Sequence, residues 1–551
     1  MILTIILFWI MTIPIGIIGS YLFFRFFPRK FYLGVPLTPL WLISIGIGFV
    51  PSGLLYILVT KVWGNATPFL PVLLVLDSLI VAYLFRKYDI RPLFSSLQKE
   101  IPFIVFSLAL IFFFTLFHKT IGADHIEMHA PLAEAIQHGH LPVKNASKPH
   151  LIGVDVKKLN TEIRYFQKRK VIFPFRKFEL DKPISYHYID PILLSMFRAM
   201  TYNMTPYPLI QLSEMVLCKI IILAALFLLL FDLTQKIFIT GVALLFFLFS
   251  GSWAILARLP LWIKMFEKTS VGYHRMLFAS NISFGYPPTI LRYPVMLFDF
   301  VFFALLLLGA YFLLQSKRPV FFITCLFLIF VPFMLLGTGY ILISVCMILV
   351  FLYFYDHILI PKYSSPTISL ITIIISVFLS IFTVQIMIPV YNAIMPANLL
   401  LEPKPALHFQ PWESPEYFLK DLSSWVYLFV QTGNLFIFIP LATLWTKGRY
   451  QSLIHSMLLA SVPLVVISLK FSFGENYPGV GYWDMTKFWS VSFFYGNIIL
   501  AIAWSAWMTN NRLNHWLKII LSLPLYFATA CHLLFLSGIF QVRSFLSFDF
   551  F

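Results

Sequence analysis

The nine residues Ile121-Gly-Ala-Asp-His-Ile-Glu-Met-His129 carry one Asp, one Glu and two His. Asp124 and Glu127 are spaced i, i+3, so on a helix they would share a face. Two carboxylates at a membrane boundary suit general-base work, because partial desolvation raises a carboxylate towards neutrality. The plainer alternative is a solvated helix N-terminus, where acids are favoured by the helix dipole. His125 and His129 are spaced i, i+4, which can hold a metal, with Asp124 or Glu127 adding an oxygen ligand. The alternative for these two is hydrogen bonding to loop backbone.

Three further groupings invite chemistry. Tyr186-His187-Tyr188, followed by Asp190, is a dense run of side-chain donors and acceptors before an apolar segment. It reads either as an aromatic belt at a membrane boundary or as a sugar or phosphate contact. Residues 144–182 hold 11 basic and four acidic residues. Such a run lies on anionic headgroups, or it captures a phosphate-bearing lipid. Arg275, Arg292 and Lys487 map to the same predicted side as residues 121–129. There they could neutralise a leaving phosphate or anchor to headgroups by snorkelling. Asp484, three residues before Lys487, could simply pair with it.

The elements that must position these groups follow from composition. The chain has 551 residues, of which 60% are hydrophobic, 18% aromatic and 11% charged. Its mean hydropathy is +0.86. A soluble fold would carry about a quarter charged residues, so the bilayer must solvate most of this chain. The reading is all-α: a polytopic helical membrane bundle of about fourteen spans, with exoplasmic loops carrying short helices. The net charge of +17 fits anionic lipid rather than nucleic acid, since no aromatic platform motif accompanies it. The four cysteines lie in or beside apolar runs and form no C-x-x-C pair, so they read as small core residues.

Apolar runs at 2–24, 35–59, 69–84 and 101–117 form an N-terminal group, residues 1–117. Basic clusters after the first and third put both ends in the cytoplasm. Residues 118–207 then form an exoplasmic loop domain. Within it, Ala130 to Gly139 reads as a short amphipathic helix closed by glycine. Residues 192–202 are apolar but too short to span, which suggests an interfacial position. Residues 208–551 form a C-terminal bundle, with runs at 209–231, 237–256, 295–314, 320–336, 340–355, 368–390, 425–445, 453–469, 488–507 and 519–539. Its outer loops fall at 258–294, 391–424 and 470–487.

An outward span, an Asp-led stretch, Gly139-His-Leu-Pro142, Tyr186-His-Tyr188 and Trp483-Asp-Met-Thr-Lys487 together resemble the C-type (GT-C) glycosyltransferase superfamily, in its bacterial form. The resemblance is carried mainly by residues 101–235 and 470–507. It implies sugar transfer from a polyprenyl-phosphate donor at the exoplasmic face of the bacterial cytoplasmic membrane. Asp124 would be the general base, with Glu127 and His129 as rivals for a second catalytic role. Tyr186, His187, Tyr188, Arg275, Arg292, Asp484 and Lys487 would contact substrate, and a divalent metal, Mg or Mn, could assist. Three features depart from the family pattern. Three extra spans precede the loop, the basic insert is long, and no D-x-D triplet occurs. The competing class is a transporter or lipid flippase without bond chemistry, for which Glu214, Lys219 and Asp299 are the intramembrane candidates. A non-catalytic assembly subunit is the third.

Overall fold

The computed structural model describes residues 2–26, 36–87, 97–117, 129–141, 143–167, 180–181, 189–250, most of 301–311, 407–408, 433–470, 472–473 and 480–536. Apart from one pair of two-residue strands, its regular elements there are helical. Five helices among the described residues are long and apolar enough to cross a membrane. The chain is therefore a multi-pass membrane protein by length and composition of its helices. The runs at 320–336, 340–355 and 368–390 lie outside the described residues.

The chain divides into two compact units. The first comprises Met1–Leu228, Leu291–Leu342 and Pro389–Pro403. It opens with α1 (Ile2–Phe26), α2 (Leu37–Trp63), α3 (Phe69–Lys87) and α4 (Leu97–Phe117). These are the four predicted runs, lengthened by a few residues at one end, with α2 beginning at 37 in place of 35. Pro14 and Pro51 sit inside α1 and α2, as membrane helices tolerate. Hydroxyls in these helices donate back one turn, Ser44 to the Leu40 carbonyl at 2.9 Å and Thr60 to that of Tyr56 at 2.8 Å. That satisfies a polar group where no water is at hand.

Helices α1 and α2 touch backbone to backbone. A Cβ on Gly19 would strike the Ser44 carbonyl, and one on Gly48 the carbonyl of Ile15. Small residues permit such close crossings in lipid. Apolar side chains point outward elsewhere: Leu79 of α3 is 65% exposed and Phe112 of α4 67%. In water such rows would be a liability, and in hydrocarbon they meet their solvent.

Two contacts sort the ends of this bundle. Glu100, at the start of α4, accepts from the Leu37 and Thr38 backbone N–H groups at 2.6 and 2.9 Å, capping α2. A carboxylate there satisfies orphan donors and meets the positive end of the helix dipole. At the opposite end of α2, the Ala66 N–H donates to the Gln137 carbonyl at 3.0 Å. The segment after residue 129 therefore sits at the α2–α3 turn.

That segment contains α5 (Ala130–Gln137), a 3₁₀ turn (Pro149–Ile152), α6 (Val156–Gln167) and α7 (Ile189–Met200). Then α8 (Tyr207–Thr234) begins the next long helix. Two sequence expectations change here. Helix α5 ends at a glycine as predicted, Gly139 having φ +78°, but every residue from Ala130 to Gln137 is buried. Helix α7, expected to lie in the interface, is likewise buried along its whole length. Both are covered by neighbours, since α7 packs on α5, α1, α2 and α3. Their polar residues find protein partners in place of water.

The second unit comprises Leu229–Ile290, Ile343–Ile388 and Lys404–Phe551. It holds α9 (Ile237–Phe249), β1 (Leu407–His408), α10 (Asn434–Trp445), α11 (Arg449–Lys470), β2 (Ser472–Phe473), α12 (Val480–Thr509) and α13 (His515–Leu536). Strands β1 and β2 pair antiparallel, Leu407 opposite Phe473. Phe246 meets both Trp504 and Tyr526 edge-on at 4.9 Å. Asn434 donates to the carbonyls of Ser250 and Pro524 at 2.6 and 3.1 Å.

Candidate functional site

Three polar groupings of the first unit lie around α5, α7 and α8. His129 stands immediately before α5, and its Nδ1 pairs with the Oδ2 of Asp190, in the first turn of α7. Both side chains are fully buried. The pair joins the C-terminal end of the 121–129 stretch to the helix that follows Tyr186-His187-Tyr188. It also fixes the imidazole's orientation, which is how a carboxylate usually serves a histidine.

A second cluster lies one turn further along. Glu134 Oε2 accepts from the Tyr207 hydroxyl at 2.7 Å. The same hydroxyl reaches Gln137 Oε1 at 3.3 Å. Arg198 of α7 lies between two carboxylates. Its Nη1 donates to Glu162 at 3.0 Å, and its Nε is 3.9 Å from Glu134. The guanidinium stacks 4.0 Å from the Tyr207 ring centroid, a cation–π contact strengthened by burial. Glu162 also accepts from the Tyr207 backbone N–H at 3.2 Å, and so holds the first turn of α8. Gln137 donates to Asn203, a residue at φ +62°.

Burial alone would raise the Glu134 carboxyl. The His138 ring, the Arg198 guanidinium and the Tyr207 hydroxyl together outweigh it and hold the group below the ordinary 4.5. Burial, with the His138 charge adding to it, pulls His140 below the ordinary histidine value. Both carboxylates and the Tyr207 hydroxyl have partners of opposite character, the arrangement of a clamp that joins α5, α6, α7 and α8, while Nε and Nη2 of Arg198 are buried without a hydrogen bond.

A third group has no such closure. Glu214 of α8 is 1% exposed, and neither carboxylate oxygen has a hydrogen-bond partner. It feels the charge of Asp190, whose Oδ1 is also without a partner. Lys219, on the same helix, is 1% exposed as well.

Of the catalytic and substrate residues that the resemblance implies, His129 alone is among these clusters; Asp190, noted after the Tyr-His-Tyr run, and Glu214 and Lys219, the transporter candidates, are there too. Asp484 and Lys487 stand on α12 of the second unit, a helix that begins at Val480, earlier than the run predicted at 488. Asp124, Glu127, His125, Tyr186, His187, Tyr188, Arg275, Arg292 and Asp299 lie outside the described residues. Among the described residues no group of three or more His, Cys, Asp or Glu side chains could hold a metal ion.

Sequence reasoning missed Glu134, Glu162, Arg198 and Tyr207. One signal was available: Arg198 is a lone cation in the apolar run Ile192-Leu-Leu-Ser-Met-Phe197, and a fully buried Arg is almost always paired. Asp190 was noted only as the end of an aromatic run, and nothing local names His129 as its partner. No protein-family model, curated protein or solved structure matches the chain.

Proposed function

We propose that this protein is a membrane glycosyltransferase of about fourteen spans, acting at the exoplasmic face of a bacterial cytoplasmic membrane on a polyprenyl-phosphate-linked sugar. Asp124 takes the proton from the acceptor hydroxyl. That oxygen attacks the anomeric carbon, the bond from carbon to the phosphate oxygen breaks, and configuration inverts. Arg275, Arg292 and Lys487 neutralise the departing lipid phosphate. Tyr186, His187, Tyr188 and Asp484 contact substrate, and Glu127 and His129 stand beside the base.

One observation supports this reading above the others. The His129–Asp190 pair ties together the two segments that carry the family resemblance. Glu127 precedes His129 by two residues, and Tyr188 precedes Asp190 by two. Burying an imidazole and a carboxylate costs hydration that their mutual hydrogen bond offsets, and a pair that fastens these two segments together serves a site built from both. On this reading His129 positions the base-bearing stretch.

The test uses the full chain in proteoliposomes with radiolabelled polyprenyl-phosphate hexoses and a membrane lipid extract as acceptor. Asp124→Asn should lower label transfer at least about 100-fold, the scale of a lost general base. Full transfer by a normally folded Asp124→Asn protein overturns the assignment.

A transporter or flippase is the second reading, favoured by the burial of both Glu214 and Lys219 within one long apolar helix. Intramembrane ionisable groups mark ion or substrate paths. Counterflow of a labelled lipid-linked sugar across liposomes, with no covalent product, would select it.

A further inference from the structure

Asp190 and Glu214 come from different helices, α7 and α8, and lie within electrostatic reach of one another. Asp190 is fully buried and Glu214 1% exposed. Asp190 spends one oxygen on His129. Its other oxygen and both oxygens of Glu214 have no hydrogen-bond partner. Buried carboxylate oxygens are nearly always bonded, because an unmet one forfeits its hydration for nothing.

The surrounding helix face leaves the group open. Gln211, Glu214 and Cys218 follow i, i+3, i+7 along α8 and so share one side. The Gln211 amide nitrogen is buried with no partner, one turn from acceptors that need a donor. Lys219 leaves α8 about 140° round from Glu214, so the nearest lysine in sequence points away from the pair. Two acids thus lie within electrostatic reach of one another with no hydrogen bond to Glu214. In a low dielectric that proximity of like charge is strongly unfavourable.

We propose that Asp190 Oδ1 and the Glu214 carboxylate form an occluded cation site, inside the first unit, that takes a proton or an alkali cation. The two occupants share one chemistry, a compact positive charge accepted by carboxylate oxygens with no strong geometric demand. The site lies behind the His129–Asp190 pair, on the side of α8. Its occupancy stiffens the junction of α7 with α8, so the position of the pair depends on the cation. The inference stands apart from glycosyl transfer, since it requires no bond chemistry. Among the described residues, the titratable groups facing the site are His129 and Asp190 from the α5–α7 side and Cys218 from α8.

The experiment is thermal unfolding of the full-length protein in detergent micelles. A ligand that binds only the folded state raises the midpoint with its concentration. In NaCl or KCl against equimolar choline chloride, a rise of several degrees in wild type that vanishes in Glu214→Gln identifies an alkali cation. No alkali effect, but a midpoint that climbs as pH falls in wild type and is flat in Glu214→Gln, identifies the proton. Equal responses in wild type and variant, or none in wild type, overturn the site. Asp190→Asn is the second variant, and a monodisperse elution profile shows that each is folded. Transfer activity is scored separately, so loss of the glycosyltransferase reading leaves this result intact.

Discussion

Glu134 and Glu214 are both buried acids of the first unit, and the fold treats them oppositely. Glu134 is met by Tyr207, by Arg198 and by the His138 ring. Glu214 is met, among the described residues, by a second carboxylate and by no hydrogen bond. A saturated acid is part of the scaffold, and removing any partner leaves a charge stranded. An unsaturated one carries a cost that the scaffold alone does not explain, and that is where a ligand or reaction is to be sought.

The largest test of this contrast is Arg198→Met. It removes the guanidinium between Glu134 and Glu162 and leaves a buried and a half-buried carboxylate without it. Breaking a buried pair this way costs about 3–5 kcal/mol, read as a fall in the denaturant or thermal midpoint in micelles. A loss below about 1 kcal/mol would show that Arg198 does not hold the two carboxylates together as described.

A smaller and sharper test sets the two acids side by side in choline chloride. Glu134→Gln gives up a charge-assisted bond and should cost about 1.5–3 kcal/mol. Glu214→Gln loses no hydrogen bond and should cost less than about 1 kcal/mol. Equal costs would erase the distinction between the two regions.

The smallest effect is on acid stability. Glu134 sits below its ordinary 4.5 in the folded chain. The unfolded chain therefore takes up the proton first, and falling pH favours unfolding. The contribution is complete above 4.5 and is lost as pH drops through the lower folded value. Midpoints measured from about pH 5 downward should fall more steeply in wild type than in Glu134→Gln. Parallel curves would deny Glu134 its depressed value.

Much of the fold was legible because hydrocarbon leaves few options. A run such as residues 209–231 can only be a helix there, and the structure extends it to Tyr207–Thr234. The glycine stop after α5 was legible for a local reason. Only a residue free of a Cβ penalty sits easily at φ +78° with the Gly64 backbone alongside. The surroundings of α5 and α7 were not legible. Composition sees polar residues on a short helix and assigns them water, whereas Glu134 and Arg198 meet groups 73 and 36 residues away, in Tyr207 and Glu162.

The sequence by itself determined the solvent, the long helices and the helix stop at Gly139, because hydrophobic length and backbone sterics act over neighbouring residues. It also singled out His129, by residue type and spacing. Only the tertiary structure decided that Asp190 is its partner and that Arg198 closes a clamp. It alone showed that Glu214 is buried without a hydrogen bond and within electrostatic reach of Asp190. Partnership of buried charge depends on which helices lie side by side, and no local pattern carries that.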